Sequence, residues 1–255
     1  MAGFSRSAGG IPVVALETVG STNEEALARA KSGEAGPLWI AARRQTAGRG
    51  RRGRAWVSAP GNLYASLLLV DAAPSAQLPG ICFVAALALH DALLDAVHGL
   101  APAQLKLKWP NDVLLDAKKI AGILVEGTAL AMGRSATAIG IGVNCRHHPE
   151  RTRFPAADLA ASGYVIEPAA LLPALGEAMA ARLEEWARGE NFASVRAAWL
   201  ARASGIGAPI EVRLSERTIA GTFDAIDASG ALVLIRGDGA RETIAAGDVF
   251  PLRRA

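Results

Sequence analysis

Arg43, Arg44, Arg49, Arg51, Arg52 and Arg54 place six guanidinium groups within twelve positions, and Gly48, Gly50 and Gly53 lie among them. Guanidinium forks beside glycines, which let backbone N–H groups come close, suit a site that grips carboxylate or phosphate. The run contains no acid; removing its six arginines from the 27 Lys plus Arg leaves 21 basic residues against 24 acidic ones. The chain is therefore basic only because of this loop. Lys108-Trp109-Pro110-Asn111-Asp112 sets a cation, a rigid turn, an amide and a carboxylate at a strand end. Lys118 and Lys119 then stand directly before the apolar stretch Ile120-Ala121-Gly122-Ile123-Leu124-Val125-Glu126, where Gly122 leaves room for a ligand against the backbone. Strand-end side chains suit catalysis because a sheet holds them rigidly.

The letters from Gly48 to Gly53 spell the G-x-G-x-x-G dinucleotide fingerprint, but their context opposes it. A dinucleotide turn opens a helix, whereas Trp56-Val57-Ser58-Ala59-Pro60-Gly61 cannot begin one, and the variable positions carry bulky charges. An Arg-rich nucleic-acid-binding protein is a second class to weigh. Such proteins spread basic charge across a face or interleave it with aromatics, and here the remainder of the chain is slightly acidic. Simpler readings stand beside the chemical ones: Thr22 as a helix cap, Trp56 as a core aromatic, Lys118 and Lys119 as a solvated turn, Asp112 as a turn acid, Asn144 as a strand cap. Gly48 and Gly50 could serve loop geometry alone. The adjacent His147 and His148 point apart and have no Cys or acidic cluster at ligand spacing, so no metal site is expected.

The elements that must position these residues follow from patterning. With 255 residues and 51% hydrophobic composition, one substantial core with a small appendage is expected. Residues 12–16 read as a strand, and Ser21-Thr22-Asn23-Glu24-Glu25 carries a capping-box pattern that opens a helix running to Gly33. Strands are expected at 38–42 and 63–70, with the arginine loop hanging between them. A buried helix spans 78–97, strands follow at 105–109, 120–126 and 137–144, with a turn at 116–119, and helices occupy 168–188 and 192–203. Beyond residue 208 the texture changes to short strands at 210–214, 217–226, 231–235 and 242–245 separated by glycine turns, the signature of a small β-barrel. This predicts an α+β protein: a central mixed or antiparallel sheet with helices packed on it over residues 1–206, and a C-terminal β-barrel over 207–255. Cys82 and Cys145 lack CxxC spacing and are expected to be buried, reduced thiols. The apolar run at 78–89 stops at His90, short of the roughly 20 residues that span a bilayer, and no secretory signal is legible, so a cytoplasmic location without membrane contact is expected.

Taken together, Ser21-Thr22-Asn23, the loop from Gln45 through Arg54, KWPND, KIAGILVE and Gly140-Ile141-Gly142-Val143-Asn144 resemble the biotin protein ligases in order and spacing. The resemblance is strong from Val14 to Asn144 and weaker over the C-terminal strands. It implies a class II synthetase-like ligase domain followed by an SH3-like barrel, and a two-step reaction. Biotin and ATP, accompanied by Mg²⁺, give biotinyl-5′-adenylate and pyrophosphate, and the biotinyl group then passes to one lysine of a biotin carboxyl carrier protein of a carboxylase. Joining a carboxylate to an α-phosphate brings two anions together, so cations and directed N–H groups matter more than a covalent nucleophile. By resemblance, Ser21, Thr22, Asn23, Gln45, Gly48 and Gly122 line the biotin side, while Arg49, Gly50 and Arg51 border its carboxylate and the phosphate. Lys119 contacts the carboxylate during adenylation. Arg52, Arg54, Trp56, Asn111, Asp112 and Asn144 fall on the nucleotide side, and Lys119, Arg51, Arg49 and Asp112 are the candidate catalytic set. Some members of the family bind DNA through an added N-terminal domain; Ser21 stands early enough in this chain that no specific DNA binding is expected. A lipoate-type ligase is the nearest rival, sharing adenylation chemistry. The like-charged loop is expected to repel itself and stay mobile until an anion neutralises it, and the 148–155 loop with Phe154 to form a second lid.

Overall fold

Long aliphatic and β-branched runs, bracketed by glycine, proline and aspartate turns, give this chain more strand than helix. The computed structural model describes residues 3–150 and 152–252. Two strands, β1 (Ser7–Ala8) and β2 (Ile11–Val19), precede helix α1 (Thr22–Lys31), β3 (Leu38–Gln45) and β4 (Leu63–Val70). Helix α2 (Ile81–Ala96) leads to β5 (Leu105–Lys108), β6 (Asp112–Leu115), β7 (Lys118–Ala129) and β8 (Ser135–Val143). These strands form one sheet in the order β1-β2-β3-β4-β8-β7-β6-β5. Only β2 and β3 run parallel. The parallel pair needs a crossover connection, and α1 supplies it.

Helix α2 is buried on nearly every side, from Ile81 through Leu93, because it lies between the sheet and α3 (Pro168–Trp186). Its apolar run does not stop at His90 as the sequence reading has it. His90 is itself buried beside Asp91, and Arg182 of α3 clamps Asp91 at 2.5 and 2.8 Å. The segment Leu78–Ala96 is thus long and apolar enough to cross a membrane by composition, yet 67% of its most apolar window is buried inside the protein. Each fully buried leucine here, such as Leu87 or Leu93, contributes about 1.5–3 kcal/mol of transfer free energy. Helix α4 (Phe192–Ala201) completes this layer, with Phe83 and Trp199 in edge contact at 5.3 Å.

Five further strands, β9 (Pro209–Arg213), β10 (Thr218–Ile226), β11 (Leu232–Ile235), β12 (Arg241–Ile244) and β13 (Asp248–Pro251), form a separate small sheet ordered β12-β11-β10-β9-β13. All its pairings are antiparallel, and Val212, Phe223, Leu232 and Leu234 are fully buried within it. Three short strands escape the sequence reading: β1, which has two residues, and β6 and β13, which have four each, all too brief to show a period. The turn expected at 116–119 shrinks to Asp116 and Ala117, both at positive φ (46° and 61°). This is the backbone of a two-residue hairpin, so Lys118 and Lys119 belong to β7 and pair with Leu115 and Leu114.

Candidate active site

Where α1 begins, β7 and β8 pair and the arginine loop folds back, the sheet is roofed by a cavity of about 410 Å³. Its two ends differ in chemistry. At one end the wall is neutral and polar. Ser21, Thr22 and Asn23 start α1, and all three are buried. The capping-box expectation is not realised, because Ser21 occupies the N-cap without a side-chain cap bond. Gln45 does that work from β3: its Oε1 accepts the Thr22 N–H at 2.8 Å, while its Nε2 donates to Ser58 Oγ at 3.1 Å. Asn23 Nδ2 donates to Leu124 O and to Glu126 Oε2 at 3.1 and 2.8 Å, and Ser66 Oγ donates to Asn23 Oδ1 at 2.6 Å. A Cβ on Gly140 would stand 2.5 Å from Asn23 Oδ1, so only glycine allows this asparagine its place.

The other end is cationic. Asp112 is buried between Lys119, at 2.6 Å, and Lys108, at 3.3 Å. Burial alone would raise the Asp112 carboxyl, but the two ammonium groups hold it below the usual carboxylate range. Lys108 moves down because burial outweighs the pull of Asp112 and Lys119 repels it. Two lysines thus share one carboxylate, leaving a net positive charge that an incoming anion completes. Asn111 Nδ2 donates to Ile123 O at 2.6 Å, which ties the KWPND turn to β7. Arg51 extends over this end, donating to Gly247 O at 3.2 Å, and its guanidinium is drawn down by burial, against Asp248.

Trp56 lies between the ends, flat against the sheet. Gly122 and Gly142 are register partners on β7 and β8, and the indole rests on both: a Cβ on Gly142 would sit 2.7 Å from Trp56 Cε2, and one on Gly122 would sit 3.1 Å from Cζ3. Lys119 Nζ is 5.3 Å from the ring centroid. Asn144 follows β8, its Nδ2 donating to Ala157 O at 3.0 Å, and so anchors the 148–155 loop. That loop brings Phe154 to the cavity, with Lys108 Nζ 4.5 Å from the ring centroid.

The loop and strand residues singled out from the sequence separate into three groups. Arg49, Gly50, Arg51, Arg54, Trp56, Asn111, Asp112, Lys119, Gly122 and Asn144 border the cavity with the neutral-wall residues. Gly48 and Arg52 do not border it. A Cβ on Gly48 would meet Ser58 Oγ at 2.6 Å and Trp56 O at 2.8 Å, so this glycine is required by the loop's own packing. Arg52 points outward to Asp248 at 3.6 Å, and Arg43 and Arg44 sit on β3 rather than in the loop because that strand runs on to Gln45. The loop's like charges are also balanced by this chain's own acids. Arg49 is clamped by Glu24 and Glu126, which keep its charge favoured against burial, and Arg54 meets Asp248 at 2.7 Å. Asp248 is held below the usual carboxylate range because its arginines outweigh burial.

Lys108, Glu126, Asp248 and Phe250 are contributors that the sequence reading did not assign to the site. Lys108 was legible as the first letter of KWPND; Asp248 and Phe250 arrive on the unforeseen strand β13. Among the described residues, no group of three or more His, Cys, Asp or Glu side chains is arranged to hold a metal ion. Both cysteines are free, and burial pushes their thiols up to about 12.

A model of the biotin/lipoate A/B protein ligase family matches residues 16–145, and one of the biotin protein ligase C-terminal domain matches residues 205–251. The biotin–[acetyl-CoA-carboxylase] ligase of Paracoccus denitrificans is 42% identical over 92% of this chain and 98% of its own. Among solved structures, the biotin protein ligase from Aquifex aeolicus in complex with biotin and ATP superposes with a TM-score of 0.77 at 27% identity, covering 95% of this chain and 99% of that one. The Leishmania major biotin protein ligase in complex with biotinyl-5-AMP gives 0.65 at 25% identity, covering 92% of this chain and 98% of its own. With both segments matched by family models and a relative 42% identical over nearly its whole length, this chain belongs to the biotin/lipoate protein ligase family.

Proposed function

We infer that this chain activates biotin with magnesium-ATP to give biotinyl-5′-adenylate and pyrophosphate, then transfers the biotinyl group to a protein lysine. The observation that carries this reading is the single cavity whose neutral polar wall adjoins a two-lysine, one-carboxylate anion site, with an indole face between them. A ureido ring has both donors and acceptors and suits the Thr22, Asn23 and Gln45 wall; the dithiolane ring of lipoate offers no such partner.

In the first step a biotin carboxylate oxygen bonds to the α-phosphorus while the bond to pyrophosphate breaks. Lys119 and Arg51 offset the charge that the approaching anions concentrate, and Asp112 holds Lys119 in place at 2.6 Å. Protonated, buried thiols leave the cysteines out of the chemistry. In the second step a lysine amine of the carrier attacks the anhydride carbonyl and AMP departs. Trp56, Arg54, Asn111 and Asn144 form the nucleotide side in this reading, and Phe154 covers it. The carrier we propose is the biotin carboxyl carrier protein of a carboxylase, supported by the 42% identical relative named as an acetyl-CoA-carboxylase ligase. Division into a catalytic unit over residues 1–206 and a C-terminal unit over 207–255 belongs to the same reading, supported by the change from helix-covered sheet to short antiparallel strands. Pyrophosphate exchange measured with biotin, with lipoate and with neither tests it: exchange is expected with biotin alone, and exchange with lipoate alone overturns it.

A further inference from the structure

Glu126 does not border the cavity, yet both of its carboxylate oxygens hold groups that do. Oε2 accepts from Asn23 Nδ2 at 2.8 Å and from Arg49 Nη2 at 3.2 Å, and Oε1 accepts from Arg49 Nε at 3.1 Å. Its place on β7 follows from strand alternation, which puts it on the same face as Gly122 and Leu124. From that face a one-way chain of hydrogen bonds can be traced. Asn23 Oδ1 only accepts, so the single Ser66 proton is committed to it at 2.6 Å. The single Thr22 hydroxyl proton faces two acceptors inside the wall, Ser66 Oγ at 2.7 Å and Gln45 Oε1 at 3.1 Å, and is spent within the wall on either. Ser66 donates to Asn23, and Asn23 to Glu126. A flipped Asn23 amide would turn its oxygen toward Leu124 O and the Glu126 carboxylate, three acceptors with no proton among them. Glu126, together with Leu124 O, therefore fixes the orientation of Asn23, and with both hydroxyl protons spent inside the wall Thr22 Oγ1 meets a ligand as an acceptor.

We propose that Glu126 is a positioning residue that sets hydrogen-bond polarity at the biotin end of the cavity and, with the same carboxylate, pins Arg49 of the arginine loop. This rests on the biotin reading above. Glu126→Gln keeps the size of the side chain but replaces the charged acceptor of the Asn23 N–H by a neutral amide and no longer charge-pairs Arg49. Because Glu126 is partly exposed, the variant is expected to fold with an unchanged melting midpoint. In the full chain, Glu126→Gln should raise the biotin KM in pyrophosphate exchange about tenfold, the equivalent of one well-aligned hydrogen bond, with the ATP KM and kcat each changing less than about threefold. Asn23→Ala should cost a similar factor alone and add less than about twofold on the Glu126→Gln background, since the two act as one unit. Trypsin cleavage between residues 49 and 54, followed with no biotin or ATP present, should be faster in Glu126→Gln. An unchanged biotin KM overturns the proposal, as do parallel losses for biotin and ATP together with a lowered melting midpoint. Fully additive effects with Asn23→Ala overturn it too. If the wild-type chain shows no exchange with biotin, the functional reading fails and the polarity part falls with it, while the trypsin comparison still decides the tether to Arg49.

Discussion

The neutral wall and the cationic end of the cavity are built by opposite means. The wall is assembled from one sheet and the helix it supports: Thr22, Asn23, Gln45 and Ser66 satisfy one another within 3.1 Å, and their positions follow from β3, β4 and α1. The cationic end is assembled from distant pieces: the KWPND turn, the start of β7, the arginine loop, and β13 of the second sheet. Neutral groups need fixed directions and get them from rigid neighbours. Charged groups need compensation and get it from wherever an acid can be brought, at the cost of depending on more of the chain.

Lys119→Ala should break this contrast most severely. It removes one of the two lysines that share Asp112, the cation placed on the biotin carboxylate in the proposed function, so biotin-dependent pyrophosphate exchange is expected to fall about a hundredfold to a thousandfold, with biotin affinity at the neutral wall retained in equilibrium titration. Loss of both together would show that the two ends are one unit. Asp112→Asn leaves the buried Lys108 and the half-buried Lys119 without their shared counter-ion and should cost about 3 kcal/mol of unfolding free energy at pH 7 in urea titration. The sign with pH follows from the lowered Asp112 carboxyl. Its stabilisation is full above the ordinary carboxylate range and is lost as pH falls through the lower native value, so wild type and variant should converge in acid. A gap that stays constant down to pH 2 would deny the depressed ionisation.

Gly142→Ala drives a methyl group into the Trp56 indole and should cost about 1–3 kcal/mol, weakening ATP binding more than biotin binding when each is titrated separately. Asp248→Asn should release the arginine loop, with limited trypsin digestion at residues 51–54 speeding up about tenfold and the melting midpoint shifting little. Arg44→Ala, at the one exposed position of β3 and outside the cavity, should leave both exchange rate and stability within about twofold and 0.5 kcal/mol. A larger effect would return the strand arginines to the anion site.

What could be read from sequence divides along the same line as the cavity. Ser21, Thr22, Asn23, Gln45, Asp112 and Lys119 were recognisable because they stand in or beside elements whose period is strong, and the resemblance named them in order. The partners that compensate the loop were not. Asp248 lies in a four-residue strand with no period to read, and Glu126 looks like the last polar letter of an apolar run. Nothing in one sequence says that Arg49 and Glu126, far apart in the chain, share two hydrogen bonds. The loop was expected to be a self-repelling charge cluster because its neutralising acids come from α1, β7 and β13, and long-range pairing carries no local signal. The buried helix expected at 78–97 is present as α2, and the partner that lets Asp91 sit within it, Arg182 of α3, lies far along the chain and carries no local signal.

Asp248 and Phe250 place the cavity's final pieces within β13, near the end of the described chain, while its first pieces stand at Ser21. The eight-stranded sheet and its helices all precede that strand in the chain. A polypeptide shortened ahead of β13 should therefore keep a folded core and still fail as a ligase, and a bulky tag fused next to that strand would disturb the reaction centre rather than a passive tail. The cavity's wall is thus complete only when β13 is paired in the second sheet and its side chains face the first.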